Sequence, residues 1–327
     1  MKKTIAWLCI AFLLVTGIAC RKEKQEISVY TPDGAPALAL AKLMSEDTEA
    51  DGISYHVVNS TGIEALVQYK EESKNADICI LPLTDASLYL HSGEQYALLG
   101  TVTHGNFFLL SNQEKYYNEE NLSLLIGKKI GVVQLGKLPG LTFRYVLERA
   151  GIPYAVKEGT RDVETDKVNL INVAPTSVKA NVGFDLFLAP EPLVSLKTKA
   201  GFFNVGSLQT LYGEKGYPQA TIVAKQSLIS KNPEFINDFI SNIEENEQWL
   251  KEAEPSAVLQ AINSHLQDGI TPSFTENNLS VEAIAGCNVY FASAEEEKTK
   301  INGFISALRT VNEEAVKPLS DKFFYGV

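Results

Sequence analysis

Lys129-Ile130-Gly131-Val132-Val133 runs into Gln134-Leu135-Gly136-Lys137-Leu138-Pro139-Gly140 and then into Leu141 to Ala150. The first five residues read as a short apolar strand. The next seven carry the glycines and the proline that break it. The last ten read as a helix that stops at Gly151, where a C-cap belongs. Strand, loop and helix in that order form the unit of parallel α/β architecture.

The same unit opens the body of the chain. Ile27 to Tyr30 reads as a strand, Thr31-Pro32-Asp33-Gly34 breaks it, and a helix from Ala35 to Met44 follows with Pro36 in its first turn. Two further units repeat in matching order. Ile53 to Val58 leads through Asn59-Ser60-Thr61-Gly62 into a helix over Ile63 to Tyr69. Its counterpart, Val168 to Val173, leads through Ala174-Pro175-Thr176-Ser177 into a short helix at Val178. Asp77-Ile78-Cys79-Ile80-Leu81-Pro82 runs into Leu83-Thr84-Asp85, and Asp185-Leu186-Phe187-Leu188-Ala189-Pro190 into Glu191-Pro192-Leu193. A shared order of three units implies two similarly built lobes. Each loop lies at the C-terminal end of a parallel strand, the edge at which open α/β sheets bind ligands.

The stretches Tyr96 to Val102 and Asn106 to Ser111 flank Thr103-His104-Gly105 and read as the outward crossing between lobes. The return follows Gly213 to Pro218, in the run Ala220-Thr221-Ile222-Val223-Ala224. Beyond it, Glu234 to Glu252, Pro255 to Leu266, a segment within Asn277 to Phe291, and Ala294 to Asn312 read as helices packed back on the first lobe. The runs Glu244-Glu245 and Glu295-Glu296-Glu297 read as solvated faces. The resulting division places lobe I at 27–104 and 225–327 and lobe II at 105–224.

The N-terminus carries an address. Lys2 and Lys3 precede an uncharged run from Ile5 to Val15, and small Ala19 precedes Cys20, the pattern of a secretory signal peptide over 1–19. The cysteine at its end resembles the lipobox of bacterial lipoproteins, with Gly17 where leucine is usual. Cys20 is the expected lipidation site and 20–26 a charged tether. The protein is thus expected to be exported and lipid-anchored at the cell membrane, facing the periplasm or the exterior.

Composition excludes several classes. Of the 327 residues 45% are hydrophobic and 21% charged, and mean hydropathy is −0.04, so the chain is neither disordered nor polytopic in a membrane. A net charge of −11, with no basic block, gives nucleic acid no electrostatic footprint. Cys9, Cys20, Cys79 and Cys287, with His56, His91, His104 and His265, show no metal-ligand spacing, so no metal and no cofactor are expected. Cys79 lies in an apolar run and reads as a buried thiol, while a disulfide with Cys287 stays open.

Thr31-Pro32-Asp33-Gly34-Ala35-Pro36-Ala37-Leu38-Ala39, Ile80-Leu81-Pro82-Leu83-Thr84, Gly127-Lys128-Lys129-Ile130-Gly131-Val132 and Ala189-Pro190-Glu191-Pro192-Leu193 together resemble the substrate-binding proteins of bacterial ABC importers. The resemblance is to the type 2 fold, in the nitrate, sulfonate, taurine and thiamine-precursor branch, and spans nearly the whole chain from Cys20. It implies a two-lobed α/β fold, each lobe a mixed, mostly parallel sheet flanked by helices, with a cleft between them. It further implies a monomeric, lipid-anchored receptor that is not an enzyme and hands a small solute to an ABC permease.

The loops nominate the ligand contacts. Asp33, Gly34, Ala35, Asn59, Ser60, Thr61, Thr84 and Asp85 belong to the first lobe, and Lys137, Gly140, Thr142, Thr176 and Glu191 to the second. His104 and Asn106 belong to the hinge. Asp, Ser, Thr and Asn at helix starts are also ordinary N-caps. Ligand charge stays open at this level. Helix N-termini and Lys137 suit an anion, yet Arg21, Arg144, Arg149, Arg161 and Arg309 all fall outside the cleft loops. Asp33, Asp85 and Glu191 suit a cationic or amine-bearing solute. The competing functions are a lipoprotein sensor or adhesin with a degenerate cleft, and an enzyme on the same fold. For an enzyme the sequence offers only His104 with Asp85 as an acid–base pair.

Overall fold

The computed structural model describes residues 26–47, 52–180 and 182–327. The expected signal peptide, Cys20 and most of the expected tether lie outside the described residues.

Among the described residues twelve strands are laid down in chain order. The first half supplies β1 (Ile27–Pro32), β2 (Ile53–Val58), β3 (Ile78–Pro82), β4 (Tyr96–Thr103), β5 (Phe107–Ser111) and β6 (Lys129–Val133). The second supplies β7 (Tyr154–Lys157), β8 (Val168–Val173), β9 (Leu186–Pro190), β10 (Phe203–Ser207), β11 (Ala220–Lys225) and β12 (Val289–Ser293). They form two six-stranded sheets, ordered β12-β4-β11-β3-β1-β2 and β10-β5-β9-β6-β8-β7. In each sheet the three repeated units pair in parallel with the first strand in the middle, β2-β1-β3 and β8-β6-β9. An antiparallel strand then joins the third, β11 in one sheet and β5 in the other. The expected α/β class, two lobes and mixed sheets are all present. The return strand differs, because β11 hydrogen-bonds between β3 and β4. Residues 220–224 therefore belong to the first sheet, and the return crossing ends before Ala220.

The repeated aspartates have one job in both lobes. Ser28 N–H donates to Asp77 Oδ2 at 3.0 Å, and Lys129 N–H donates to Asp185 Oδ2 at 2.8 Å. Each carboxylate, at the foot of a third strand, satisfies an amide of the first. Lys225 is buried against Asp77, with Nζ 2.9 Å from Oδ1 and 2.7 Å from the Asn75 carbonyl.

Strand alternation splits the core of the first lobe. Ile78 and Ile80 of β3 point into one cluster with the helices Pro233–Glu252 and Pro255–Asn263, while Cys79 and Leu81 point into another. That second cluster runs without a break into the other lobe, and the helix Ala294–Val311 carries it across. This helix packs on β4 of the first lobe and on the helix Leu138–Arg149 of the second. Its Phe304 ring meets Tyr212 at 5.3 Å and Tyr217 at 5.6 Å.

The helix begins with a capping box. Ser293 Oγ accepts from Glu296 N–H, and the Glu296 carboxylate accepts from Ser293 N–H. The run Glu295–Glu297 is thus only partly a solvated face, since Glu297 is buried beside His104 and Lys300.

Other expectations shift. The helix expected over Ala35 to Met44 is two pieces, Ala35–Leu38 and Ala41–Glu46. Buried Asn246 bridges the break, accepting from Lys42 N–H and donating to the Leu38 carbonyl, both at 3.0 Å. Ile63–Val67 is a 3-10 turn in place of a helix to Tyr69, and Pro175–Ser177 is a 3-10 turn that ends at Val178, where a short helix was expected to begin. The segment 277–291 yields the short helix Val281–Gly286 and most of β12. Cys79 and Cys287 are separate buried thiols, so the disulfide left open by the sequence is not formed. Among the described residues no helix is long and apolar enough to cross a membrane.

Candidate functional site

The outward crossing is His104-Gly105-Asn106 and the return ends at Gln219. These two segments sit in equivalent places. Gln219 O accepts from Leu83 N–H just after β3, and Asn106 O accepts from Glu191 N–H just after β9. Their side chains meet, with Gln219 Nε2 donating to Asn106 Oδ1 at 2.9 Å. A pseudo-twofold relation therefore passes through this amide pair. Gly216 makes the close approach possible. Its φ is +67°, and a Cβ there would stand 1.9 Å from the His104 carbonyl oxygen.

Above this floor lies a cavity of about 510 Å³, lined from both lobes by the loops at the C-terminal ends of the parallel strands. The size is ordinary for a small-molecule site. Asp33, Gly34, Ala35, Ser60, Thr61, Thr84 and Asp85 line it from the first lobe, Lys137 and Glu191 from the second, and Asn106 from the floor. A second recess of about 300 Å³ shares Thr84, Asp85 and Lys137 and extends toward Asn312 and Ala315.

Five nominated residues are not brought to the cavity wall. Asn59 and Thr176 are exposed in their loops beside residues that do line it. Gly140 and Thr142 fall inside the helix Leu138–Arg149, which starts three residues earlier than its pattern suggests because Pro139 is tolerated in a first turn. A Cβ on Gly140 would meet the Leu135 carbonyl at 2.1 Å, so its glycine serves backbone packing. Thr142 is buried and its hydroxyl donates to the Leu138 carbonyl at 2.8 Å. His104 is fully buried on the far side of the floor, stacked on Tyr290 at 3.6 Å between ring centroids with planes 4° apart. It does not line the cavity that Asp85 lines. The residues missed are Gln134, Gln219, Ser273, Asn278 and the rim residue Glu64. Gln134 sat in a recognised loop. Ser273 and Asn278 come from an irregular segment with no strand-to-helix signal.

The acids differ in how they are held. Asp33 is committed to structure, with Oδ1 accepting from Gly34 N–H at 2.9 Å and Oδ2 from Ser273 N–H at 2.6 Å. Glu191 accepts from the amide and hydroxyl of Ser195, both at 3.0 Å. Burial raises its pKa and those two bonds oppose the rise. Burial also raises Asp85, against the nearby Lys137 charge and with help from Glu64. Among the described residues no three His, Cys, Asp or Glu side chains gather as a metal site.

Two mixed sheets that share the order of their inner strands, joined by paired crossings beneath a shared cleft, make a type 2 periplasmic-binding-protein fold. No protein-family model matches the chain. An ABC transporter protein from Parabacteroides distasonis superposes with a TM-score of 0.70 at 18% identity, covering 92% of this chain and 98% of that one. The periplasmic aliphatic sulphonate-binding protein SsuA from Escherichia coli gives 0.61 at 15%, over 91% and 90%. The alkanesulfonate-binding protein SsuA from Xanthomonas axonopodis pv. citri, solved with MOPS, gives 0.56 at 14%, over 89% and 96%. In sequence, YtlA of Bacillus subtilis (strain 168), whose name gives it a provisional binding role, is 22% identical over 279 residues, 81% of this chain and 79% of YtlA.

Proposed function

We propose that the protein is an extracytoplasmic solute receptor, lipid-anchored through Cys20, that captures a small polar solute between its lobes and presents it to an ABC permease. The observation that carries this reading is the convergence of strand-end loops from both sheets on one cavity above a hydrogen-bonded pair of crossings. Closure about such crossings would bury a solute without rebuilding either lobe. The solutes of the resembling branch are sulfonate-, nitrate- or taurine-like anions and thiamine-precursor-like compounds. The open cavity supports solute capture over a sensor or adhesin with a degenerate cleft. That Asp85 lines the cavity and His104 does not supports binding over the acid–base chemistry considered for an enzyme.

The test is mass spectrometry of small molecules released on denaturing protein purified from cells, alongside thermal shift against a solute library. A stoichiometric released solute, or one that stabilises by about 2.7 kcal/mol at a hundredfold excess over Kd, is expected. An unliganded protein that nothing in the library stabilises would reject the receptor. In the same preparations Cys20→Ser should move the protein from the membrane to the soluble fraction, and continued detergent dependence would reject the lipid anchor.

A further inference from the structure

We propose that the captured solute carries a protonated nitrogen, held between Asp85 of the first lobe and Glu191 of the second; the inference rests on the receptor reading and names its substrate class. Among the described residues four carboxylates line the cleft, Asp33, Glu64, Asp85 and Glu191, against one cationic side chain, Lys137, and no arginine. A sulfonate or nitrate entering this wall meets net negative charge and no guanidinium fork to hold it.

The independent sign of a ligand is Asp85. Asp85 is only 8% exposed as a residue, and its carboxylate opens onto the cavity, yet among the described residues it has neither a hydrogen-bond donor nor a salt-bridge partner. Buried carboxylates are normally paired, because desolvation without donors is expensive. Lys137 is near enough to influence Asp85 but is itself exposed, so it does not supply the missing bond. Asp85 also stands in the first turn of the helix Leu83–Leu90, where a bound anion would have to approach that helix.

Glu191 is the complementary wall. Each of its oxygens accepts one bond from Ser195, which leaves acceptor capacity on both for a further donor. The floor has the same polarity, since Gln219 Oε1 lacks a donor among the described residues. The site therefore presents acceptors and calls for donors. An ammonium, amidinium or protonated heterocycle supplies them together with the neutralising charge.

The test is titration calorimetry on the wild-type protein with pairs of probes that share a skeleton but differ in charge. Benzylamine is set against benzenesulfonate, benzamidine against benzoate, and butane-1,4-diamine against succinate, with glucose and uracil as neutral probes. The cationic member of a pair should bind. Asp85→Asn should weaken it by about tenfold or more, and Lys137→Met should strengthen it by about twofold by removing a like charge. Glu191→Gln provides a second acidic position. Circular dichroism on each variant separates lost binding from lost folding. An anionic or neutral probe that outbinds every cation would overturn the cationic assignment while leaving a solute receptor standing. If no probe of any charge binds and denaturation releases no solute, both the assignment and the receptor reading fall.

Discussion

His104 and Asn106 are two residues apart in the outward crossing and face opposite fates. Asn106 is held in the cleft floor by Gln219 and the Glu191 carbonyl. His104 turns the other way, into a pocket with Tyr290, Glu297 and Lys300, and neither ring nitrogen has a well-aligned hydrogen-bond partner. Burial pushes its pKa below the ordinary 6.5, against the pull of Glu297. The unfolded chain takes up a proton as pH falls through 6.5, and the folded one only at a lower pH. Stability from this residue is therefore lost as pH falls from 6.5 toward the folded value. His104→Phe keeps the stack and removes the titration. Urea unfolding should show the variant gaining on wild type between pH 7.5 and pH 5.5, and a gap that does not change with pH would reject the account. The sequence could mark His104 as a hinge residue but could not reveal which way its side chain turns. That depends on Tyr290 and Glu297, nearly two hundred positions downstream.

At the scale of elements, local grammar was readable and distant bonding was not. The three repeated parallel strands of each sheet and the helices Pro233–Glu252 and Ala294–Val311 were legible, because apolar period, proline and glycine fix them within a few residues. The break between Ala35–Leu38 and Ala41–Glu46 was not, because it is completed by Asn246 from another helix. Asn246 reads as one more polar residue beside Glu244 and Glu245. It is in fact 2% exposed and satisfies two backbone groups left over at the break. Asn246→Leu should destabilise the protein by about 2–4 kcal/mol in denaturant unfolding, the cost of stranding both groups. A loss under about 0.5 kcal/mol, the range of ordinary surface changes, would show that the break needs no bridge. The short strands β7, β10 and β12 escaped notice because they are sheet-edge or half-exposed, without a clear alternation. In the site, loops at strand ends were found from sequence. Gln219, Ser273 and Asn278 were not, because their place is set by the return crossing and by the backbone bond from Ser273 to Asp33.

At the scale of the molecule, the helix Ala294–Val311 stands on both lobes and closes one apolar cluster that runs through them. Two lobes joined only by a pair of crossings could melt separately, the one with the smaller core first. Here neither can lose its packing without exposing Ile301, Phe304, Ile305 and Leu308 of the shared helix. Differential scanning calorimetry of the solute-free protein should therefore show a single heat-absorption peak, with calorimetric and van't Hoff enthalpies in agreement. Two resolved peaks would mean that the straddling helix belongs energetically to one lobe alone. A proteolytic cut between the lobes would, by the same logic, leave two fragments that stay associated instead of two independent domains.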